Sequence, residues 1–481
     1  MTGTADIPEK LVNGLMALSN NPDVRPARLI QYLSERAGLI VQRGYEIYSF
    51  PHRTFQEYLA ACHLTEDNFP EYIVQLFQEE PNRWREVTLL AGAKAIRGSM
   101  AFIWLLVNEL CDEPPENKPL SMKQLWSAHI AAQSLVETID LEDITGKKKE
   151  KVNQIVQWLL CILKAQELPP SERALAGNNL AILGDPRPEI MDIDYMLFCL
   201  VPGGKFFMGE GDNMHQTFCK AFWMGKYPVT NAQFYAFVAD GGYNNETYWA
   251  EAIRHDRWKK GIIEGWFGKK STPIKFGNPF DLPNHPVVGI TWYEAKAFTH
   301  WLTEKWHNEK RLPDNWHITL PSELQWEKSA RGGEDILKQS VCASVDNIIH
   351  DTINIEMKPN SLPKRKYPWG NTQNENLTNC KQTGIHTTSA VGCFPLGASP
   401  YGCEELCGNI SEWTHSLDQA YPYQSNDGRE DLDQMMSPQW IILRGGTYHD
   451  TNTLCCTLRE KAYPHGNNKD LGFRIIASPI H

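Results

Sequence analysis

The segments Arg444-Gly445-Gly446-Thr447-Tyr448 and Gly472-Phe473-Arg474 lie near the carboxyl terminus and constrain the second half of the chain most strongly. Paired glycines predict a tight approach of two backbones beside a strand, because glycine has no side chain and accepts unusual backbone angles. Arg474 is expected to form a buried ion pair or to donate to carbonyl oxygens. In a third segment, Gly408-Asn409-Ile410-Ser411-Glu412-Trp413, we expect Glu412 to be a buried hydrogen-bonding group beside the tryptophan.

The sequence around these segments is rich in Gly, Pro, Trp and Tyr and poor in long periodic runs. Helical patterns are confined to Asn231–Ala239, residues 292–301 and a third helix with Ser322 as its N-cap. Because backbone ladders are few, aromatic packing, buried polar networks or bound metal must hold such a domain together. We therefore predict an α+β domain with little regular secondary structure.

The first part of the chain has a different character. Glycine is sparse there, and apolar residues recur at helical spacing, as in Ile155-Val156-Trp158-Leu159. The composition changes after Gly184-Asp185-Pro186-Arg187-Pro188. The sequence thus predicts a multidomain protein, with an α-helical part over residues 1–187 and the α+β domain over residues 188–481.

The overall charge excludes some classes of function. The 481 residues include 47 Lys and Arg against 58 Asp and Glu, a formal net charge of −11. This balance argues against general binding to nucleic acid or to anionic membranes. We find no secretory signal and no apolar run of about 18 residues that could span a membrane. Twelve cysteines are scattered along the chain, so we expect reduced thiols and a cytoplasmic protein.

The carboxyl-terminal segments resemble the formylglycine-generating enzyme and sulfatase-modifying factor family, whose domain is related to the C-type lectin fold. Further matching segments occur in the family's order at residues 201–209, 226–234, 285–295, 320–327 and 367–370. The resemblance covers the whole of residues 188–481 and implies that fold.

The resemblance also raises the question of oxidase activity. Oxidases of the family use two cysteines after the Gly-Gly turn, and thiolates are soft ligands suited to monovalent copper. By position, the first cysteine is replaced by Asp450 and the second corresponds to Cys455. Adjacent Cys455 and Cys456 would point to opposite faces of a strand. We therefore expect no copper centre and no enzyme activity, with formylglycine-type oxidation of protein cysteine residues as the alternative.

Calcium is the other metal that the resemblance implies, held by hard oxygen ligands. The first site would use two carbonyls and two carboxylates, from Glu405, Gly408, Ile410 and Glu412. A second site would include Asn379, but Thr383 replaces an acid there.

The predicted fold also resembles that of variable proteins of diversity-generating retroelements. Those proteins display surface residues in the segment before the final Gly-Phe-Arg. Here residues 448–470 mix aromatic, polar and charged side chains, a mixture typical of binding surfaces and also of ordinary loops. The predicted ligand-binding residues are Tyr448, His449, Asp450, Thr451, Thr453, Tyr463, His465, Asn467 and Asn468. The expected ligand is a protein or peptide; diversified display, non-diversified binding and a purely structural role all stay open.

The amino-terminal part contains Tyr48-Ser49-Phe50-Pro51-His52-Arg53-Thr54-Phe55, which resembles a helical or winged-helix region that follows the nucleotide-binding core of NACHT-type ATPases. The sequence has no G-x-x-x-x-G-K-[ST] loop to hold phosphates. This part is therefore expected to relay or scaffold, with a NACHT-type or other signalling protein as its partner.

Overall fold

A computed structural model describes residues 6–8, 26–45, 47–66, 68–115, 119–141, 144–348, 355–432, 435, 437–451 and 453–480. Most of the first residues, on which the prediction of no secretory signal rests, lie outside this range. The chain divides into two compact units, residues 1–155 and 156–481. The predicted boundary after residue 187 separates two stretches that resemble different families, so it stays a prediction. No helix in the described ranges has both the length and the apolar composition needed to cross a bilayer.

Unit 1 combines a small antiparallel sheet with packed helices. Its strands are β1 (Asp6–Pro8), β2 (Val41–Gly44) and β3 (Ile47–Ser49), in the order β1-β3-β2. Its helices are α1 (Pro26–Gln31), α2 (Arg53–Leu64), α3 (Glu71–Glu79), α4 (Pro81–Ala95), α5 (Ala101–Leu110) and α6 (Met122–Thr138). Helix α4 packs against α2, α3 and α6. Helix α7 (Lys147–Lys164) contains the division between the units.

Unit 2 contains short helices and many short strands. Its remaining helices are α8 (Pro170–Leu183), α9 (Pro188–Met191), α10 (Asn231–Ala239), α11 (Ala250–Arg254), α12 (Trp292–Asn308) and α13 (Glu323–Arg331). Its strands are β4 (Leu197–Val201), β5 (Gly204–Met208), β6 (His215–Cys219), β7 (Phe222–Gly225), β8 (Trp258–Lys259), β9 (Ile262–Gly265), β10 (Gly268–Lys270), β11 (Trp316–Thr319), β12 (Asp335–Leu337), β13 (Cys342–Ser344), β14 (Met357–Pro359), β15 (Ser411–Leu417), β16 (Ile441–Arg444), β17 (Arg459–Ala462), β18 (Leu471–Gly472) and β19 (Ile476–Pro479).

Two sheets frame the core of unit 2. The larger is antiparallel in the order β11-β19-β7-β4-β13, and the second has the order β17-β16-β15-β18. Large aromatic side chains fill the space beside them, and the indole N–H groups of Trp292 and Trp413 donate to the carbonyls of Thr414 and Ile290. Aromatic packing therefore replaces long backbone ladders, as the composition predicts.

The three predicted helices are present. Helix α10 has the predicted bounds, whereas α12 runs seven residues beyond residue 301, to Asn308. The prediction ended too early because the buried stripe continues through Leu302 and Trp306. Ser322 caps α13 as predicted, and Gln325, which was not predicted as a partner, completes a capping box with it.

Helix α8 packs on the loops of unit 2 through buried polar side chains. Arg173 donates to the carbonyls of Cys393 (3.1 Å) and Asn376 (2.7 Å). Asn178 Oδ1 lies 2.8 Å from Nε2 of the buried His285, whose Nδ1 lies 2.9 Å from the Thr388 hydroxyl. An amide oxygen only accepts, so Nε2 carries a proton; in the neutral ring, Nδ1 then accepts from the Thr388 hydroxyl.

This buried histidine predicts a pH dependence of stability. Burial lowers the pKa of His285 from 6.5 to about 3. Below pH 6.5 the unfolded chain therefore binds a proton that the folded chain does not, and stability falls as the pH falls. Relative to His285→Gln, the wild-type free energy of unfolding should fall by about 1.4 kcal/mol per pH unit between about pH 6 and 4. Urea titrations over this range measure it, and parallel curves for the two proteins would contradict the assignment.

Candidate functional site

A buried ion pair joins the two segments that close the domain. Arg474 donates from Nε and Nη2 to the two carboxylate oxygens of Glu412, at 2.7 Å each. Trp326 Nε1 donates to the same carboxylate at 2.7 Å. Arg474 also donates to the carbonyls of Gly225 and Glu404. The ion pair and the carbonyl contacts that the sequence predicted as alternatives thus occur together.

The turn after Gly446 is closed by Asp450. Its Oδ2 accepts hydrogen bonds from the Thr447 amide (2.6 Å) and the Thr447 hydroxyl (3.0 Å). The Asp450 carbonyl accepts from the Lys381 amide at 3.0 Å, and the Tyr448 amide donates to the Asn409 carbonyl at 3.1 Å. The Asp450 carboxylate therefore stabilises the turn in which it lies.

A groove of about 850 Å³ lies beyond this turn and contains Cys455. Its lining includes Thr453, Thr457, Tyr421 and Arg459, but not Asp450. Cys455 Sγ lies 3.1 Å from the Thr457 hydroxyl, which donates to a carboxylate oxygen of Glu210. The groove is thus polar around one thiol.

Buried charges hold the floor of this groove. The Glu323 carboxylate accepts from Arg459 Nε at 2.7 Å and from Arg429 Nη1 at 3.0 Å. Arg444 Nη2 donates to Glu327 at 2.6 Å. Arg459 reaches the groove from this network, so its guanidinium is fixed in place.

A row of aromatic side chains lies beside Ala462, at the end of β17 opposite to Arg459. We call Trp440, Tyr463, His465 and Trp266 the aromatic strip. Successive ring centroids are 4.0 Å, 5.7 Å and 5.8 Å apart. Trp440 is 40% exposed and Trp266 63% exposed. Lys461 Nζ lies 5.6 Å from the Trp440 ring. Exposed tryptophans in contact with neighbouring rings offer rigid apolar area at the surface.

Strand β17 connects the groove to the aromatic strip. It begins at Arg459, which lines the groove, and ends at Ala462, next to Tyr463 of the strip. One edge pairs with β16 from Ile441 to Arg444. Among the described residues no strand pairs with its other edge. That edge carries backbone donors and acceptors open to a further strand.

The structure does not bring the predicted ligand-binding residues together in one place. Tyr463 and His465 belong to the strip and Thr453 lines the groove, while Thr451 lines a small cavity beside Leu454. His449 and Asn468 are exposed elsewhere on the surface.

Two of the predicted residues are not available at the surface. Tyr448 is buried with its ring 6.0 Å from that of Phe280, and Asn467 is buried against Gly265. The prediction of surface display is wrong for these two side chains, because their loop turns back into the domain.

Three aromatic residues of the surface were missed by the sequence analysis. Trp266 belongs to the strip, and Phe267 beside it is 65% exposed. Both lie in the turn Gly265-Trp266-Phe267-Gly268 between β9 and β10. Two large aromatics between glycines at a hairpin turn are a pattern that could have been recognised, because such a turn has little room to bury them. Trp440 has no comparable local pattern.

The family comparison agrees with this fold. The sequence model of the sulfatase-modifying factor enzyme 1-like domain matches residues 188–479. The chain belongs to this family. A second model, the winged helix-turn-helix domain C-terminal to NACHT, matches residues 15–64. The NACHT-type signalling partner itself stays a prediction.

Relatives of the sulfatase-modifying factor domain include enzymes. Hercynine oxygenase of Mycolicibacterium smegmatis is 28% identical over 323 residues, 63% of this chain and 64% of that protein. Formylglycine-generating enzyme of Bos taurus is 23% identical over 334 residues, 58% of this chain and 74% of that protein. The chain spans only 45–64% of the length of three hercynine oxygenases that it matches. Treponema denticola variable protein 1 aligns at a TM-score of 0.37 and 17% identity, over 59% of this chain and 95% of that protein.

The residues after the Gly-Gly turn do not fit a copper centre with two sulfur ligands. Asp450 stands at the first position, with its carboxylate bound to Thr447. Cys456 is fully buried, and burial raises the pKa of its thiol. Within the described parts of the chain, no three Cys, His, Asp or Glu side chains converge on a possible metal position.

The predicted calcium ligands do not fit a calcium site either. Both oxygens of Glu412 are occupied by Arg474, a cation already in place. Burial raises the pKa of Glu405 to about 8, and its two oxygens already accept hydrogen bonds from the Gly392 amide and the Asn409 side chain. The Gly408 carbonyl accepts from the Ile410 amide, and Asn379 donates to Asn409. These residues instead form a hydrogen-bonded core that stabilises the loop.

Proposed function

We propose that residues 188–481 form a non-catalytic binding domain that holds an extended segment of another protein along β17. The observation that carries the proposal is a strand edge that has no partner strand among the described residues and runs from the groove at Arg459 to the aromatic strip at Tyr463. Main-chain hydrogen bonds would supply affinity, and the groove and strip would select side chains.

The chemistry of the two ends suits a polypeptide ligand. The four residues of β17 span about 13 Å at the usual rise of a strand. A bound strand would therefore reach the fixed guanidinium of Arg459 with one end and the exposed rings of Trp440 and Trp266 with the other. Aromatic anchors beside charged and polar groups are typical of protein-binding surfaces.

Oxidation of a cysteine in that ligand is the second candidate, favoured by one observation. Cys455 lines the groove and would face a bound segment. Asp450 nevertheless replaces the first thiol of the oxidase pair, and its carboxylate accepts a hydrogen bond within its own turn. We therefore favour binding without oxidation.

A random-peptide library displayed on phage and selected on the full chain tests the binding mode. Selected peptides are then synthesised with single N-methylated amides and titrated by calorimetry. Strand addition predicts that N-methylation weakens binding at alternate positions, because alternate amides of a bound strand face β17. Equal tolerance of N-methylation along the peptide, or selected peptides that bind elsewhere, would contradict the proposal.

Loss of one ring of the strip should weaken these peptides strongly. Trp266→Ala and Tyr463→Ala are each expected to raise the Kd at least about tenfold, or about 1.4 kcal/mol, because central aromatic anchors dominate interface energies. Phe218→Ala, which removes an aromatic that is 60% exposed outside the strip, is the matched control and should leave the Kd unchanged. Equal effects of all three changes would exclude the strip as the binding surface.

A further inference from the structure

Two cysteines face each other across β4 and β13, outside the groove and the strip. The strands are antiparallel, with Cys199 directly opposite Cys342. The Leu200 amide donates to the Val341 carbonyl at 2.9 Å, which makes the next pair, Cys199 and Cys342, a non-hydrogen-bonded pair. Side chains approach most closely at such pairs. The two Sγ atoms are 2.9 Å apart.

The surroundings of the two thiols differ. Cys342 is exposed on β13, the edge strand of its sheet, whereas Cys199 is fully buried. The pKa of Cys342 is lowered, first by a hydrogen bond with Cys199 and then by the nearby Lys226 cation, while burial and Glu404 act in the opposite direction. The pKa of Cys199 is raised well above its usual value, first by its hydrogen bond with Cys342. Because Cys342 is the thiol that solvent reaches, it is the nucleophile, and the buried Cys199 is the neighbour that completes the disulfide.

We propose that Cys342 and Cys199 are a peroxide-sensitive pair that closes reversibly to a disulfide. The Cys342 thiolate attacks one oxygen of a hydroperoxide, its O–O bond breaks, and the leaving oxygen takes up a proton. With hydrogen peroxide the products are a sulfenic acid and water. The Cys199 thiol then attacks Cys342 Sγ, forming the S–S bond and releasing a second water. Two thiols are thus oxidised by two electrons while one peroxide is reduced to two waters.

The geometry favours a local bond over exchange with other thiols. Opposed residues in a non-hydrogen-bonded pair have Cα atoms about 4.5 Å apart, within the range that a disulfide spans. Cys403 also raises the pKa of Cys199, but it is fully buried, so peroxide reaches Cys342 first. All twelve cysteines are free thiols in this structure.

Peptide mapping of the full chain tests the pair. The reduced protein is treated with equimolar hydrogen peroxide, its remaining thiols are alkylated, and the digest is analysed by mass spectrometry. We expect a peptide that links Cys199 to Cys342, formed at least about tenfold faster than oxidation of other thiols and removed by dithiothreitol. Cys199→Ser should instead leave a sulfenic acid on Cys342, trapped by dimedone.

The controls separate this chemistry from general oxidation. Cys62→Ser, a change in unit 1, should form the disulfide at the wild-type rate. In Cys342→Ser, oxidation of Cys199 should slow at least about tenfold. The proposal is overturned if wild-type Cys342 is oxidised no faster than the other thiols, or if it links to Cys403 in place of Cys199. The wild-type map decides this even if a variant folds poorly.

Discussion

Arg474→Met is expected to lower the free energy of unfolding of the carboxyl-terminal domain by about 3–5 kcal/mol, because it leaves a buried carboxylate without its cation. Arg474 and Glu412 are both fully buried, and their contacts are 2.7 Å long. The same change also removes the donor from the carbonyls of Gly225 and Glu404. Little of this loss can be recovered by water, since the guanidinium is enclosed on every side.

Urea unfolding read by hydrogen exchange of peptides from residues 188–481 measures this loss separately from unit 1. Arg257→Met is the matched control, because its ion pair with Glu264 is partly exposed and should contribute at most about 1 kcal/mol. Adding Glu412→Gln to Arg474→Met should recover part of the stability, since the unpaired charge is removed. A loss below about 1 kcal/mol for Arg474→Met would show that the pair does not hold the domain together.

Gly408→Ala is the second change with a large expected effect. A Cβ at this position would lie 2.3 Å from the Asn379 carbonyl oxygen and 2.5 Å from the Thr378 hydroxyl, and φ is +83°. Backbone strain and the clash with a backbone atom add, so we expect a loss of about 3–5 kcal/mol.

Gly384→Ala separates the strain from the clash. Its φ is +70°, but a Cβ there would meet nothing within 4 Å. Strain alone predicts a loss of about 1–2 kcal/mol, measured by the same unfolding experiment. Equal losses at both glycines would contradict the close approach at Gly408.

The features that could be predicted from the sequence are those that depend only on residues close together in the chain. Gly445 and Gly446 adopt φ of +100° and +71°, and a Cβ on Gly445 would lie 3.2 Å from the Ile410 carbonyl oxygen, which is the predicted tight approach of two backbones. The start of α13 follows from its capping residue Ser322, and the burial of Arg474 was expected from a charge that directly follows Gly472-Phe473, in the segment between β18 and β19. Local rules of this kind act within a few residues.

The surface could not be predicted to the same extent. The strip joins Trp266, Trp440 and Tyr463, which are far apart in the chain and meet only in the folded domain. Burial of Tyr448 and Asn467 also depends on tertiary packing, because their segment has no periodic pattern to reveal which side faces inward. Whether residues 448–470 are diversified stays a prediction about gene sequences.

Titration of the reduced full chain with monovalent copper, in competition with bicinchoninic acid, tests most directly whether this domain binds without oxidising. The Asp450 carboxylate is bound within its own turn, and one thiol, that of Cys455, lines the groove. We therefore predict that the chelator retains the copper and that Cys455→Ser does not change the amount of copper bound. Stoichiometric transfer of copper to the wild-type protein, abolished by Cys455→Ser and accompanied by oxygen consumption with a cysteine-containing peptide, would contradict the account.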